Sequence, residues 1–465
     1  MSILLSLAFV VVVRAFTILP PVTAVLKHPE VLAESRDEFY EQLAAFLLEP
    51  ARANRPQLLG LEFECLLTMP DGSAVPSRGA HGPDSLVLAL AEHYQRDGER
   101  YEVVREAGDI ALVRVGGLNF SVEPGGQVEI SLAPFVSPCE VATELDRFFA
   151  LLDREVAKTP FRATFLGHHP VTMPESIPLR AKPRYEIMNR RLARVGKHGI
   201  HMMRATAGMQ VTLDYRSAAE CTSLLRAALL TAPFVTAMFA NSPLVGGKPS
   251  GYLSFRERAW WDTDPSRCGV PVRLLADDAT IDDYVDFALD AELWFIRRDG
   301  ELHEILGNRS FRQTLADEQL TLDDFSLHTS TLFPSARIRR GVEVRSSDCV
   351  PPEYARAFSA LQAGLLYDEK NLQLATELHR YRTHESVRDL HLACARDGVV
   401  AKLDDGFDVR AACSRLLDMA YDGLGRRVAQ PADTCGMQEL LEPLRRVVET
   451  GEPPAIAVLR QFERG

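Results

Sequence analysis

The sequence of 465 residues predicts an α+β fold. Short segments in which polar and apolar residues alternate, the pattern of half-buried strands, occur before residue 351. Long helical patterns occupy the part that begins at about residue 351. The chain has no regular strand–helix–strand rhythm, so a doubly wound parallel sheet is not expected. We therefore predict a sheet whose strands and helices are grouped separately, with a helical C-terminal part.

Composition favours an ordinary globular protein, with 46% hydrophobic and 25% charged residues. The net charge of -12 and the lack of a basic stripe argue against a nucleic-acid partner. We expect an N-terminal extension over residues 1–50, partly helical, and a single catalytic domain over residues 51–465. A monomer or a homodimer is expected.

The N-terminal apolar run and the cysteines bear on the cellular compartment. Residues 4–13 are nearly all apolar, but no basic residue precedes them and the run is too short to span a bilayer. The eight cysteines are scattered and include no Cys-x-x-Cys pair, which favours reduced thiols over a disulfide framework or a zinc site. These features predict a cytoplasmic protein with no membrane partner.

The first half of the chain alternates between helical and strand patterns. Apolar spacing predicts a helix over residues 22–48 that Pro50 ends, and a first acidic strand begins at Leu58. A short amphipathic helix over residues 84–94 precedes two hairpin strands, 101–104 and 110–115. Pro138 then opens a strongly amphipathic helix.

Long loops and buried helices follow. Residues 159–199 are rich in proline and are predicted to be mostly loop, whereas residues 218–239 are apolar on nearly all sides and predict a buried helix. A glycine-rich loop, long enough to carry function, is predicted over residues 246–269. Further helices are predicted at 353–367, 372–378, 409–424 and 437–450, with a last one after Pro453.

Four of the predicted strands carry acidic or amide side chains on their polar face. They are found in GLEFEC, QVEIS, MQVTLDY and GVEVRSSD, and their polar residues include Glu62, Glu64, Glu129, Gln210 and Glu343. If these strands lie in one sheet, their polar faces form a single concave wall, with Glu123 nearby. The alternative is four ordinary strands that face solvent.

Several converging carboxylates need counter-charge. Without cations they repel one another and either take up protons or destabilise the site. Hard divalent ions relieve this repulsion, and a set of oxygen ligands favours Mg²⁺ or Mn²⁺ over zinc. The wall is therefore a candidate magnesium site.

Familiar sequence motifs of other enzyme classes are absent. Gly246-Gly247-Lys248 is followed by Pro249, so there is no phosphate-binding G-x-x-x-x-G-K-[ST] loop, and no G-x-G-x-x-G follows a strand. The G-x-S-x-G and H-E-x-x-H motifs are also absent, which argues against a serine hydrolase and a zinc protease.

Arginines beside the predicted wall suit phosphoryl transfer. Arg345 lies two residues after Glu343 on the same strand face, within reach of a phosphate held by a metal ion. Arg204, Arg256 and Arg312 lie in loops or at strand ends, where a bidentate pair with a substrate carboxylate is feasible. For each arginine taken alone, the alternative is a surface salt bridge.

Four long motifs, in this order, resemble the plant-type glutamate–cysteine ligases. They are SVEPGGQVEIS, RYEIMNRRLARVGKHGIHMM with TAGMQVTLDY, FANSPLVGGKPSGYLSFRERAWWDTDPSRCG, and HTSTLFPSARIRRGVEVRSSD. The likeness runs from about Leu58 to the last helix. It implies a curved, glutamine-synthetase-like antiparallel sheet covered by helices, which binds ATP and Mg²⁺ in its concavity.

The resemblance also implies roles for individual residues. Arg345 matches an arginine expected near the transferred phosphate, with Glu343 beside it. Arg256 and Arg204 match positions expected to hold the glutamate carboxylate, and Trp294 falls where an aromatic of the acceptor pocket is expected. The positions expected to hold metal are Glu62, Glu64, Glu123, Glu129, Glu343 and Gln210.

The implied reaction is ATP-dependent ligation of the glutamate γ-carboxylate to cysteine, through a γ-glutamyl phosphate, for glutathione or an ergothioneine-type thiol. Two departures from the family pattern leave the acceptor open. Thr212 replaces an asparagine, and Ser346-Ser347 replaces Gly-Ala. The alternatives are the same chemistry on another amine and a homologue without catalytic activity.

Overall fold

A computed structural model describes residue 32 and residues 36–51, 56–79, 82–95, 100–427, 433 and 435–464. The strands are β1 (Leu59–Thr68), β2 (Glu102–Glu106), β3 (Asp109–Val115), β4 (Leu118–Val122), β5 (Val128–Ser131), β6 (Arg162–Thr164), β7 (Gly208–Leu213), β8 (Leu244–Val245), β9 (Lys248–Pro249), β10 (Cys268–Gly269), β11 (Phe295–Arg298), β12 (Glu301–Glu304), β13 (Phe333–Pro334), β14 (Ala336–Ile338) and β15 (Val342–Asp348).

The α-helices are α1 (Arg36–Leu48), α2 (Pro83–Glu92), α3 (Pro138–Val156), α4 (Pro183–Val195), α5 (Gly199–Ala205), α6 (Ala218–Phe239), α7 (Phe255–Trp261), α8 (Ile281–Asp290), α9 (Phe311–Thr314), α10 (Leu322–Thr329), α11 (Pro352–Leu366), α12 (Glu369–Ala375), α13 (His384–Asp397), α14 (Val409–Arg426), α15 (Glu442–Thr450) and α16 (Pro454–Glu463). Short 3-10 turns lie at Pro174–Ser176, Val272–Leu275, Gly398–Val400 and Glu439–Leu441.

A nine-stranded antiparallel sheet organises the fold. Its strands run in the order β14, β15, β7, β1, β5, β4, β3 and β2, and β6 pairs with the far end of β1. Strands that are distant in sequence are therefore neighbours at its centre, where β1 lies between β5 and β7. The α+β prediction is confirmed.

The sheet has one apolar and one polar face, as the alternation predicts. Phe63, Ile130, Val211 and Val344 are fully buried on the apolar face. Helix α6 packs along β14 and β15, and α3 and α11 contact β1. Burial of this continuous apolar surface is the main stabilising term of the fold. The polar face of the same central strands is left free to carry chemistry.

Two of the covering helices form as their sequences predict. Helix α3 begins with a capping box, in which Ser137 and Glu140 satisfy each other's backbone N–H groups, and its apolar stripe is buried. Helix α6 is long and apolar enough to cross a membrane by length and composition. However, 83% of its most apolar window is buried inside the protein, as expected of a core helix.

Two local predictions are corrected, and a third is tested only in part. Residues 159–199, predicted to be mostly loop, contain α4, which Pro183 opens and whose residues Tyr185, Met188 and Leu192 are buried at helical spacing. Helix α13 falls between the predicted C-terminal helices and was missed. The predicted helix 22–48 is described only from Arg36, and the rest of it, apart from residue 32, lies outside the described residues.

The cysteine prediction is wrong for one pair. Cys139, at the start of α3, forms a disulfide with Cys435, which lies shortly before the last two helices. The two cysteines are 296 residues apart, so no local spacing motif could indicate the pairing. The other six cysteines are buried free thiols.

Candidate active site

The strand register brings the predicted carboxylates together on the polar face of the sheet. Glu62 lies opposite Gln210, Glu64 lies opposite Glu129, and β15 adds Glu343 beyond β7. We call this surface the acidic wall and define it as Glu62, Glu64, Glu123, Glu129, Gln210 and Glu343. Because these residues come from four neighbouring strands and one loop, the wall exists only in the complete sheet.

Glu123 joins the wall through the loop after β4. Ser121 donates its hydroxyl to both Glu123 and Glu129, with oxygen–oxygen distances of 3.1 Å each. The loop turns at Gly125 and Gly126, and a Cβ atom on Gly125 would lie only 1.9 Å from the carbonyl oxygen of Arg204. The close approach of α5 to this loop therefore requires glycine at position 125.

The carboxylates on β1 and β5 are buried beside one another, which disfavours their charge. Burial, and next the charge of Glu343, raises the pKa of Glu62 to about 7. Burial followed by Glu123 raises the pKa of Glu64, and burial followed by Glu62 raises the pKa of Glu129 well above its usual range. If all three were ionised, this part of the wall would carry more negative charge than its own partners neutralise.

Glu343 has the opposite environment. Its carboxylate accepts hydrogen bonds from Arg337 Nε at 2.8 Å and Arg337 Nη2 at 3.1 Å, and it also pairs with Arg345. Burial alone would raise the pKa of Glu343, but the Arg337 and Arg345 guanidiniums outweigh it and hold the pKa at about 2. The wall thus has an acidic half and a half in which two arginines clamp one carboxylate.

A small pocket adjoins the clamped half of the wall. The residues that line it come from α7, β10, β15 and the end of β13: Arg256, Glu257, Trp260, Trp261, Gly269, Phe333, Pro334, Ser335, Arg345 and Ser346. Arg256 is 2% exposed, and its Nη2 donates to the carbonyl oxygen of Arg345 at 3.1 Å. The guanidiniums of Arg256 and Arg345 each lie 5.6 Å from the Trp260 ring centroid. The pocket is therefore cationic with aromatic sides, as suits an anionic ligand.

The wall offers oxygen donors that fit a hard divalent cation. Gln210 Nε2 donates to Glu64 at 3.1 Å, and the Gln210 amide oxygen is buried without a hydrogen-bond partner. Among the described residues, no three acidic, histidine or cysteine side chains converge closely enough to hold a metal as they stand. A cation would have to draw the carboxylates together, and the metal assignment of the acidic wall stays a prediction.

The remaining predicted residues lie at different distances from this site. The backbone of Arg204 lies next to Gly125, in the loop that carries Glu123. Its guanidinium, however, donates to Asn189 at 2.7 and 3.0 Å. Trp294 is 1% exposed and lies under the guanidinium of Arg267, in the apolar cluster that also contacts Trp260 and Phe333. Both side chains are therefore engaged outside the acidic wall.

Arg312 is placed elsewhere. Its guanidinium donates to Asp286 and Asp290 on α8, at 2.7 Å each, and to the Tyr40 hydroxyl on α1 at 2.9 Å. The structure therefore gives it an ion-pair role between helices and does not bring it to the wall. This is the salt bridge that was the alternative for each arginine, and its partners are two aspartates about one helical turn apart on α8.

Sequence reasoning missed Arg337 and Ser121. Arg337 lies directly opposite Glu343 in the β14–β15 hairpin, and it alternates with apolar Ala336 and Ile338. That alternation was the available signal for its position on the polar face. Ser121 carried no comparable signal, because its role depends on the pairing of β4 with β5.

Comparison with known proteins gives one consistent relationship. Residues 58–464 match the model of glutamate–cysteine ligase family 2. The chain is 33% identical over 386 residues to the chloroplastic glutamate–cysteine ligase of Medicago truncatula, covering 81% of this chain and 73% of that protein. The chloroplastic enzyme of Arabidopsis thaliana is 32% identical over 384 residues, covering 81% of this chain and 71% of that protein.

A solved structure shares the fold. The crystal structure of glutamate–cysteine ligase from Francisella tularensis, in complex with AMP, superimposes with a TM-score of 0.53 at 12% sequence identity. The match covers 88% of this chain and 86% of that chain. The predicted glutamine-synthetase-like fold is confirmed by this likeness.

The same comparison corrects the predicted location. The plant glutamate–cysteine ligases that this chain resembles are chloroplastic. The prediction of a cytoplasmic protein is therefore wrong, because it disagrees with the location of these relatives. That prediction rested on the first residues of the chain and on the scattered cysteines. Residues 1–31 lie outside the described part of the structure.

Proposed function

The chain belongs to glutamate–cysteine ligase family 2 and is an enzyme of this type; we propose that it joins the glutamate γ-carboxylate to the amine of cysteine at the expense of ATP. One observation carries the proposal: a sheet face on which crowded carboxylates adjoin a clamp of arginines and a cationic pocket. In the proposed reaction the arginines would bind the anionic groups of ATP and glutamate, and the carboxylates would bind the cations that accompany ATP.

The reaction proceeds in two displacements. An oxygen of the glutamate γ-carboxylate attacks the terminal phosphorus of ATP, which gives γ-glutamyl phosphate and ADP. The cysteine amine then attacks the acyl carbon, phosphate leaves with the C–O bonding electrons, and the nitrogen loses a proton. The first step is needed because a free carboxylate has no good leaving group, and positive charge must offset the approach of two anions.

The acidic wall would hold Mg²⁺, with Mn²⁺ as a possible substitute. Its proposed ligands are Glu62, Glu64, Glu123, Glu129, Gln210 and Glu343. A bound cation supplies charge neutralisation at the phosphates. The raised pKa values of Glu62, Glu64 and Glu129 support the assignment, since these carboxylates lack sufficient protein counter-charge.

The arginines would handle the substrates. In the proposed cycle Arg345 turns from Glu343 toward the transferred phosphate, while Arg337 keeps Glu343 ionised. Arg256 holds a carboxylate of glutamate. The backbone of Arg204 lies against the loop that carries Glu123, and we assign its guanidinium a supporting role in the same task, for which it would have to leave Asn189. Trp294 would act through the aromatic residues that it supports, Trp260 and Phe333.

The product γ-glutamylcysteine would serve glutathione or an ergothioneine-type thiol. A different acceptor amine is the second candidate, because Ser346 lines the pocket where the family pattern has glycine. The substrates are small molecules in either case, and a monomer or homodimer without nucleic-acid or membrane partners is expected.

The experiment measures ADP release by the full chain with ATP, Mg²⁺ and glutamate, while each candidate amine is added in turn. Release that rises with cysteine, together with γ-glutamylcysteine detected by mass, supports the main proposal. If ADP release rises only with another amine, the proposed mechanism stands and the acceptor is that amine instead of cysteine. Absence of release with every amine contradicts the proposal.

Matched variants connect the activity to the wall. Glu129→Gln removes one proposed ligand without changing side-chain volume, and we expect activity to fall at least a hundredfold. Glu102→Gln makes the same chemical change on β2, where the side chain is exposed at the far end of the sheet, and it should leave activity unchanged. Equal activity of the two variants would refute the metal assignment.

A further inference from the structure

The pocket beside the clamp contains polar atoms that no protein group satisfies. Arg256 Nε, Trp260 Nε1 and Ser346 Oγ are all buried without a hydrogen-bond partner, and all three residues line this pocket. Buried polar groups are normally paired, because leaving one unpaired is costly. Three orphaned donors around one pocket therefore point to a ligand that accepts hydrogen bonds.

The charge of the pocket narrows the class of ligand. Arg256 and Arg345 bring two guanidiniums. The acidic lining residue, Glu257, already accepts from Trp261 Nε1 and from His391 Nδ1, at 2.8 Å each. The unsatisfied groups are thus all donors, in a cationic surrounding. A carboxylate, with four acceptor lone pairs on two oxygens, matches such a set.

Ser346 reaches the pocket because β15 is irregular at that point. The pairing of β15 with β7 shifts between Val344 and Ser347, so residues 345 and 346 lie in a bulge. The Ser346 carbonyl oxygen accepts from Thr236 Oγ1 at 3.1 Å, which fixes the backbone, while the hydroxyl has no partner. Bulges commonly redirect side chains beside active sites.

We propose that the Ser346 hydroxyl, with Trp260 Nε1 and Arg256 Nε, binds the α-carboxylate of an amino-acid substrate. The inference rests on the proposed ligase function for its choice of an amino acid. Ser346 would then be a residue that selects substrates with an α-carboxylate. Arg256 was assigned above to a carboxylate of glutamate, and the Ser346 hydroxyl is the contact added here. The experiment compares glutamate with the amino-acid acceptor and so tests which of the two substrates carries this carboxylate.

Neighbouring Ser347 provides a matched control. Both serines are buried, but the Ser347 hydroxyl donates to the Asp348 carbonyl oxygen at 2.9 Å. Ser346→Ala removes an unsatisfied group, so the Tm should stay unchanged or rise. Ser347→Ala removes a satisfied hydrogen bond, so the Tm should fall. A merely structural Ser346 would instead lower the Tm when it is replaced.

Calorimetric titration of the full chain tests the contact, with Mg²⁺ and a non-hydrolysable ATP analogue present. The ligands are glutamate, 4-aminobutyrate, cysteine and cysteamine; the second and fourth lack the α-carboxylate. We expect Ser346→Ala to weaken binding of one amino acid by roughly tenfold to a hundredfold. The affinity for the matching analogue without the carboxylate should not change.

The outcomes are distinct. A loss confined to glutamate assigns the pocket to the donor, and a loss confined to cysteine assigns it to the acceptor; either result supports the proposal. Three results overturn the proposal. The first is an equal loss of affinity for the analogues without the α-carboxylate, and the second is a loss of affinity no larger than that caused by Ser347→Ala. The third is the absence of amino-acid binding by the unmodified protein. Absent turnover in the ADP assay counts against the ligase function alone, because binding is measured separately.

Discussion

Two isosteric substitutions in the acidic wall should change stability in opposite directions. Glu62 has a pKa of about 7 in place of 4.5, so its charged form costs about 3 kcal/mol in the folded state. Glu343 has a pKa of about 2 in place of 4.5, so its charged form contributes about 3 kcal/mol of stability. Without a bound cation, Glu62→Gln should therefore stabilise the protein and Glu343→Gln should destabilise it.

The two effects differ in their pH dependence. The folded pKa of Glu62 is raised, so the stability linked to its proton is lost as the pH rises through 7. The advantage of Glu62→Gln over the unmodified protein should thus grow from pH 5 to pH 8. The folded pKa of Glu343 is lowered, so its contribution is complete above 4.5 and disappears only as the pH falls toward 2. The deficit of Glu343→Gln should be largest at pH 5 and shrink toward pH 8, because loss of the Glu343 charge also lowers the pKa of Glu62.

The assay is urea-induced unfolding in the presence of a chelator, at pH 5, 6, 7 and 8, with both variants and the unmodified protein compared at each pH. The slope against urea must be the same for all three, so that midpoints report stability. The reasoning is refuted if Glu62→Gln is less stable than the unmodified protein at pH 8, or if its advantage does not depend on pH. It is equally refuted if Glu343→Gln is neutral at pH 5.

Three further predictions concern the cation, the pocket and the disulfide. Mg²⁺ at a hundred times its Kd should raise the unfolding free energy by about 2.7 kcal/mol, and by less in Glu62→Gln, as thermal unfolding with and without chelator would show. Gly208→Ala would place a Cβ atom 2.6 Å from Arg256 Nη2, so the KM for glutamate should rise at least tenfold in steady-state kinetics while the far-ultraviolet spectrum is kept. Reduction of the disulfide, or Cys139→Ser, should lower the unfolding free energy by about 2–4 kcal/mol, and a reductant should then have no effect on the Cys139→Ser protein in urea titrations.

The sequence was most informative where structure repeats with a short period. Strand alternation placed Glu62, Glu129 and Glu343 on one polar face, because the period of two depends only on local backbone geometry. The order of the strands in the sheet did not follow from that alternation. It depends on which apolar faces pack together, so the neighbours of each carboxylate became known only from the fold.

Long-range pairing explains the remaining differences. Arg312 looked available for a substrate because its partners, Asp286 and Asp290, lie on a helix that the sequence reading did not identify. The Cys139–Cys435 disulfide joins two positions that no spacing rule relates. Arg345 was correctly predicted to lie beside Glu343. Alternation indicates the strand face of the second clamp residue, Arg337, but its position opposite Glu343 depends on the hairpin register.

The position of β15 in the sheet also has a consequence for the order in which the protein can be made. During synthesis β1, β5 and β7 emerge long before β15, so until β15 arrives β7 is a sheet edge with unpaired backbone groups. A ribosome-bound chain that ends at residue 341 carries Glu62, Glu64 and Glu129 but lacks Glu343 and Arg345. It contains Arg337, but β14 has no β15 to pair with. Nascent chains should therefore remain dependent on protection of that edge until the last quarter of translation, and the catalytic surface would be completed only then.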